Sequence, residues 1–174
     1  MKISVYIATT LDGFIARQDG RLDWLPGADG QPTDSEEDYG YSQFISGVDA
    51  IVMGRNTFET VLSFGEWPYR KRVIVLSSRL VADSKLLPSG VTILSGPPEQ
   101  IVRRVEAEKF QHLYLDGGNT VQRFLQAGLV NELIIPRVPV LIGSGIPLFG
   151  NLQQDVKLKH LKTAAIHTGF VQTH

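Results

Sequence analysis

Three short apolar runs in this sequence each end in residues suited to holding phosphate. Residues 50–53 run into Gly54-Arg55-Asn56-Thr57. There the glycine admits a close backbone approach, the guanidinium offers a fork, and a helix starting at that point presents free N–H groups. Residues 73–76 run into Ser77-Ser78-Arg79, two hydroxyl donors and a second guanidinium. Residues 113–115 run into Asp116-Gly117-Gly118-Asn119 ahead of another helical segment. Singly, each is ordinary turn chemistry. Three of them at the carboxyl ends of strands in an open α/β sheet point to a nucleotide with more than one phosphate. Neither G-x-G-x-x-G nor G-K-[ST] occurs, so the nucleotide fold is of a different type.

The elements that must carry these corners alternate along the chain. Val/Ile/Leu-rich runs at 2–9, 50–53, 72–76, 91–94 and 112–115 read as strands, and helical periods at 35–46, 57–64, 98–109 and 119–127 lie between them. From Asn131 onward no helix is expected. Residues 132–138, a Gly/Pro-rich stretch, 156–165 and a short terminal run finish the sheet with antiparallel strands. The fold class is α/β: one domain over 1–174, a mixed, mostly parallel sheet with an antiparallel C-terminal edge, flanked by helices. The apolar stretch 134–146, read as a late sheet edge, calls for a two-fold homodimer.

Composition removes several function classes. The chain has 174 residues, and 17 Lys+Arg against 18 Asp+Glu leave a net charge of −1, so no global field draws nucleic acid or anionic lipid. Cysteine is absent, which excludes a disulfide, a thiolate metal site and a Cys nucleophile, and fits the cytoplasm. His112, His160, His167 and His174 are scattered without ligand spacing, so no metal is expected. No apolar stretch reaches the roughly eighteen residues of a membrane span.

Four segments resemble, in order and spacing, a known superfamily. They are Ile7-Ala8-Thr9-Thr10-Leu11-Asp12-Gly13-Phe14-Ile15-Ala16, Ile51 through Glu59 with its central Gly54-Arg55, Val73-Ile74-Val75-Leu76-Ser77-Ser78, and Leu115-Asp116-Gly117-Gly118. The superfamily is that of dihydrofolate reductase. Leu11-Asp12-Gly13 and Pro139-Val140-Leu141-Ile142-Gly143-Ser144-Gly145-Ile146-Pro147-Leu148-Phe149 are similar to its riboflavin-biosynthesis reductase branch, the RibD C-terminal-like domains. The resemblance implies a dihydrofolate reductase-like three-layer sandwich, NADPH as hydride donor, and a homodimer. It sets the backbone of Ala8 and Ile15 against the nicotinamide carboxamide, Arg55 at the adenosine end, Thr57 at the pyrophosphate and Ser77 and Ser78 at the 2′-phosphate. Gly54, Gly117, Gly118 and Asn119 complete the cofactor set. Asp116 beside a pyrophosphate would weaken anion binding unless it points away.

For the proton, folate reductases use a carboxylate near the start of the helix before the Gly-Arg strand, and spacing back from Gly54 selects Asp38. With Ser35 as N-cap, Asp38 also falls where a helix start favours acids. Shielding by Trp24 and the Tyr39 and Tyr41 rings would raise its pKa. Asp12, beside the nicotinamide, and Asp29, at the folate spacing from Trp24, compete. Trp24 and Tyr41 are the substrate-binding candidates. The function implied is a reductase of a small heterocyclic or imine/carbonyl substrate, similar to 5-amino-6-(5-phosphoribosylamino)uracil reductase. The folate family's pterin-contacting Thr is Pro136 here, which places dihydrofolate reductase proper second. A non-catalytic, nucleotide-binding dimeric domain is the rival of another class.

Overall fold

Strand β1 (Lys2–Tyr6) is buried at four of its five positions, as a strand covered on both faces must be. The computed structural model describes residues 1–25, 38–80, 87–166 and 169–174. In chain order β1 is followed by β2 (Thr9–Thr10), β3 (Phe14–Ala16), α1 (Tyr41–Ser46), β4 (Ala50–Gly54), α2 (Arg55–Ser63), β5 (Arg72–Leu76) and β6 (Val91–Leu94). Then come α3 (Pro98–Ala107), β7 (His112–Asp116), α4 (Gly118–Gln126), β8 (Glu132–Val138), β9 (Ile146–Pro147), β10 (Thr163–Ala165) and β11 (Val171–Thr173).

The main sheet runs β10-β11-β8-β1-β7-β4-β5-β6, with β2 also paired to β8, and β3 and β9 form a separate two-stranded ribbon. From β8 to β6 every pairing is parallel, while β11 and β10 are antiparallel. The mixed, mostly parallel sheet with an antiparallel edge is as expected. Two details differ. Strand β8 lies inside the sheet between β1 and β11, so residues 134–138 are not an edge; that position belongs to β10. Of the strand expected over 156–165 only Thr163–Ala165 forms, opposite β11; Leu161 and Lys162 still bond to the backbone of His174, the last residue that β11 leads into. The helix expected over 35–46 is described from Tyr41 on.

Strand alternation sends side chains to two cores. Ala50 and Val52 meet Ile101 and Val105 of α3 and Val121 and Phe124 of α4 on one face, while Ile51 and Met53 meet Phe58 of α2 on the other. Phe124 is fully buried, so truncation to Ala would cost about 3–5 kcal/mol. Proline opens α3 at a position where the missing N–H costs nothing. The parallel arrangement brings the carboxyl ends of β4, β5, β6 and β7, with the starts of α2 and α4, to one rim of the sheet.

Candidate functional site

Two joined clefts occupy that rim. The first, about 330 Å³, is lined by Gly54, Arg55, Asn56 and Thr57 after β4, Leu76, Ser77, Ser78 and Arg79 after β5, Ser95 and Gly96 after β6, and Gly117, Asn119, Thr120 and Arg123 after β7. Among the described residues three guanidiniums line it and no carboxylate does. Arg55 has only a loose contact with Glu59, 3.8 Å away, and Arg123 Nη2 donates to the carbonyl of Gly96 at 3.0 Å. The Ser77 hydroxyl oxygen accepts from the N–H groups of Arg79 and Leu80, at 3.1 and 2.9 Å, which leaves its own proton free to donate. Neither α2 nor α4 has a side-chain cap, so their first N–H groups are open to a ligand. A cleft of this composition is built for phosphate. Ser95, Gly96 and Arg123 extend the expected set, and Arg79 joins Ser77 and Ser78 as read from the sequence. Ser95-Gly96 obeys the same strand-end rule as the other corners, and Arg123 lies one turn along α4 from Asn119.

Gly117 is at φ 86, and a Cβ there would collide with the Thr57 hydroxyl. Only glycine allows α4 to start this close to α2. A Cβ on Gly118 would stand 2.8 Å from the Pro147 carbonyl oxygen and 3.1 Å from Ile15 Cδ1. The Gly-Gly pair is thus the seam where the cofactor corners and the β3–β9 ribbon touch.

The second cleft, about 270 Å³, shares Asn56, Thr57, Gly117 and Asn119 with the first. Its walls include Ala8, Ile15 and Ala16, Trp24 and Leu25, Val61 and Phe64, Gly118 and Ile146, and the one charged residue among its described lining is Asp116. Trp24 is buried, and its indole N–H has no acceptor among the described residues. The structure therefore gathers Ala8, Ile15, Gly54, Arg55, Thr57, Ser77, Ser78, Gly117, Gly118, Asn119 and Trp24 along one continuous cleft.

The two acids singled out in the sequence do not line it. Asp38 is exposed and accepts hydrogen bonds from the backbone N–H of Gly40 and of Ser42, both at 2.8 Å, at the start of α1. Hydrogen bonds from Ser42 first, then Gly40, hold its carboxyl below the ordinary carboxylate range, contrary to the expected rise. It lines a separate cavity with Tyr6, Gln43, Lys162 and His174. The correction has a local cause: an acid before a helix start finds backbone donors closer than any desolvating wall. Asp12 accepts from the Thr10 hydroxyl at 2.5 Å and from the Gly143 N–H at 2.8 Å, with Ile142 N–H at 3.2 Å. Desolvation pushes its carboxyl up, but these bonds outweigh it and hold the group low. Asp12 thus ties the segment carrying Ile15 to the loop carrying Ile146. Tyr41 packs under α1 against Tyr6, Phe44 and Tyr114 and lines neither cleft. Asp29 and Ser35 lie outside the described residues.

Asp116, read from sequence only as a threat to anion binding, points away from the phosphate cleft and into the apolar one. Desolvation raises its pKa. The Tyr69 hydroxyl donates to its Oδ2 at 3.3 Å. Burial first, and Asp116 second, push the Tyr41 phenol up to about 12, so the ring stays protonated beside the carboxyl. Alternation along β7 explains the direction: Asp116 shares the face of Tyr114, under α1 and α2, while the cofactor corner lies along the backbone.

Among the described residues no three His, Cys, Asp or Glu side chains cluster for a metal, and no helix is long and apolar enough to cross a membrane.

The fold recurs in known structures. The uncharacterized protein YwjB of Bacillus subtilis (strain 168) is 34% identical over 160 residues, covering 91% of this chain and 88% of its own. A crystal structure from Shewanella sp. PV-4, of a protein named for riboflavin biosynthesis, superposes with a TM-score of 0.92 at 39% identity over 99% of this chain and 97% of that one. The Thermotoga maritima diaminohydroxyphosphoribosylaminopyrimidine deaminase/5-amino-6-(5-phosphoribosylamino)uracil reductase shares the fold, with a TM-score of 0.68 at 18% identity. The match covers 99% of this chain and 55% of that longer one. The profile of the RibD C-terminal domain matches residues 1–172, nearly end to end. With a dihydrofolate reductase-like sheet, its paired clefts and this match, the chain belongs to the RibD C-terminal domain family.

Proposed function

We propose that this chain is an NADPH-dependent reductase of small heterocyclic or imine/carbonyl compounds, acting in the cytoplasm as a homodimer. The observation that carries the reading is the junction of a three-arginine cleft with an apolar one across Asn56, Thr57, Gly117 and Asn119. A dinucleotide needs both environments, contiguous and in that order. The residues fit the cofactor: the open N–H groups of α2 and α4 suit the pyrophosphate, Ser77, Ser78 and the arginines suit the 2′-phosphate, and Ala8 and Ile15 suit the nicotinamide. When bound, NADPH supplies a hydride.

The chain's own part is to exclude water and hold a proton. Trp24, Leu25, Phe64 and Ile146 wall the apolar cleft, which strengthens electrostatic effects inside it. Asp116 holds a proton at a carboxyl oxygen to higher pH than an exposed Asp, and Tyr69 fixes the other oxygen. Among Asp12, Asp38 and Asp116, only Asp116 lines the apolar cleft, so we assign it the proton. Dihydrofolate reductase proper stands second, since Asp38 is turned to its helix and Pro136 pairs with Gln172 inside the sheet. The test is NADPH oxidation followed by absorbance with 5-amino-6-ribosylaminouracil, its phosphate, dihydrofolate, and simple imines and carbonyls. Substrate-dependent oxidation is expected with a non-folate compound. Binding of NADPH without turnover of any of them would instead make the chain a nucleotide-binding module.

A further inference from the structure

Outside the stretch it shares with the phosphate cleft, the apolar cleft offers no cation among its described lining residues. Its described lining has no Lys, Arg or His, and its one charged residue is an acid. Every arginine on the rim belongs to the neighbouring phosphate cleft. On the adjacent loop, Arg17 is paired with Asp23 and Arg21 with Asp19, each at 2.7 Å, and they line a separate surface hollow. Lys71 and Arg72 sit at the amino end of β5, the far end of the strand from Ser77, where Lys71 Nζ donates to the Ser46 carbonyl at 3.0 Å. Lys162 lines the Asp38 cavity, which shares no lining residue with the apolar cleft.

We infer that this pocket selects an uncharged heterocycle and rejects its phosphorylated counterpart; the inference rests on the reductase reading of the cleft. A phosphate dianion brought beside Asp116 and apolar walls, with no cation to pair it, would lose its hydration without compensation. A ring with carbonyl and amino groups loses far less, and a protonated Asp116 can donate to a ring carbonyl or accept from an amino group. The substrate would thus differ from the phosphoribosyl compound named for the Thermotoga maritima relative. The class of reaction that supplies it is then one that removes or never adds the phosphate.

Calorimetric titration decides this, with the three-arginine cleft first filled by saturating 2′,5′-ADP so that it cannot capture the second ligand. The probes are 5-amino-6-ribosylaminouracil and its 5′-phosphate. The nucleoside is expected to bind about tenfold or more tightly than the phosphate, as an unpaired buried anion demands. Equal or tighter binding of the phosphate overturns the inference, and so does failure of both to bind at millimolar concentration. Titration with NADPH alone separately decides the reductase reading, so the two can fail independently.

Discussion

The Tyr69 hydroxyl lies 3.3 Å from Oδ2 of Asp116, tying the end of β7 to the connection between α2 and β5 beneath the apolar cleft. Burial desolvates this strand-end acid, and the contact with Tyr69 orients it. Substitution Asp116→Asn keeps the shape and removes the proton, so turnover should fall by about 10²-fold while NADPH affinity holds. Because the folded-state pKa is raised, wild-type activity should decline as pH rises through it. The same shift means that stability associated with Asp116 is present at low pH and lost as pH rises, so the Asn variant should melt at a higher temperature than wild type at neutral pH, with the gap closing in acid. Thermal scans at two pH values, beside a pH–rate profile, check both parts. Unchanged turnover in the Asn variant would remove Asp116 from the reaction.

The three arginines should make NADPH bind at least tenfold more tightly than NADH, through charge-assisted bonds to the 2′-phosphate. Arg55→Ala, Arg79→Ala and Arg123→Ala should each weaken NADPH by about tenfold or less and leave NADH nearly unaffected, and the preference should shrink with added salt. Titrations of both cofactors at two ionic strengths measure this. Equal affinities in wild type would contradict it.

Asp38→Asn should keep turnover within about threefold of wild type, since its carboxyl serves the start of α1. Its folded-state pKa is depressed, so it supports stability above the ordinary carboxylate value, and that support is lost as pH falls through the folded value. A small drop in melting temperature at neutral pH, vanishing in acid, is the expected signature. A large loss of turnover with intact folding would return the proton to Asp38.

A homodimer should form through the C-terminal third, where Leu158 and Leu161 stay 69% and 58% exposed. They flank a groove of about 550 Å³ lined also by Leu125, Leu133 and Ile135. An apolar face of this kind is normally covered by a partner. Light scattering at micromolar concentration should report about twice the 19.2 kDa of one chain, and Leu158→Glu with Leu161→Glu should halve it. A 19.2 kDa wild-type particle would end the dimer proposal.

The alternation of strands and helices from β4 through α4, the three phosphate-suited corners and the Gly-Gly turn were legible in the chain because each depends on local chemistry: apolar runs, a glycine at positive φ, hydroxyls beside a strand end. Arg123, Ser95 and Asp116 were not assigned their places from sequence, because their roles depend on which strand ends become neighbours in space. Parallel pairing of β4 with both β5 and β7 sets that adjacency, and no spacing along the chain records it. The acids show the same division. A carboxylate's neighbours along the chain are backbone N–H groups, which claimed Asp38, while Asp12 met the N–H of Gly143, far away in sequence. Asp116 is desolvated by burial, which depends on what the fold packs over the end of β7, so only the tertiary structure could raise its pKa.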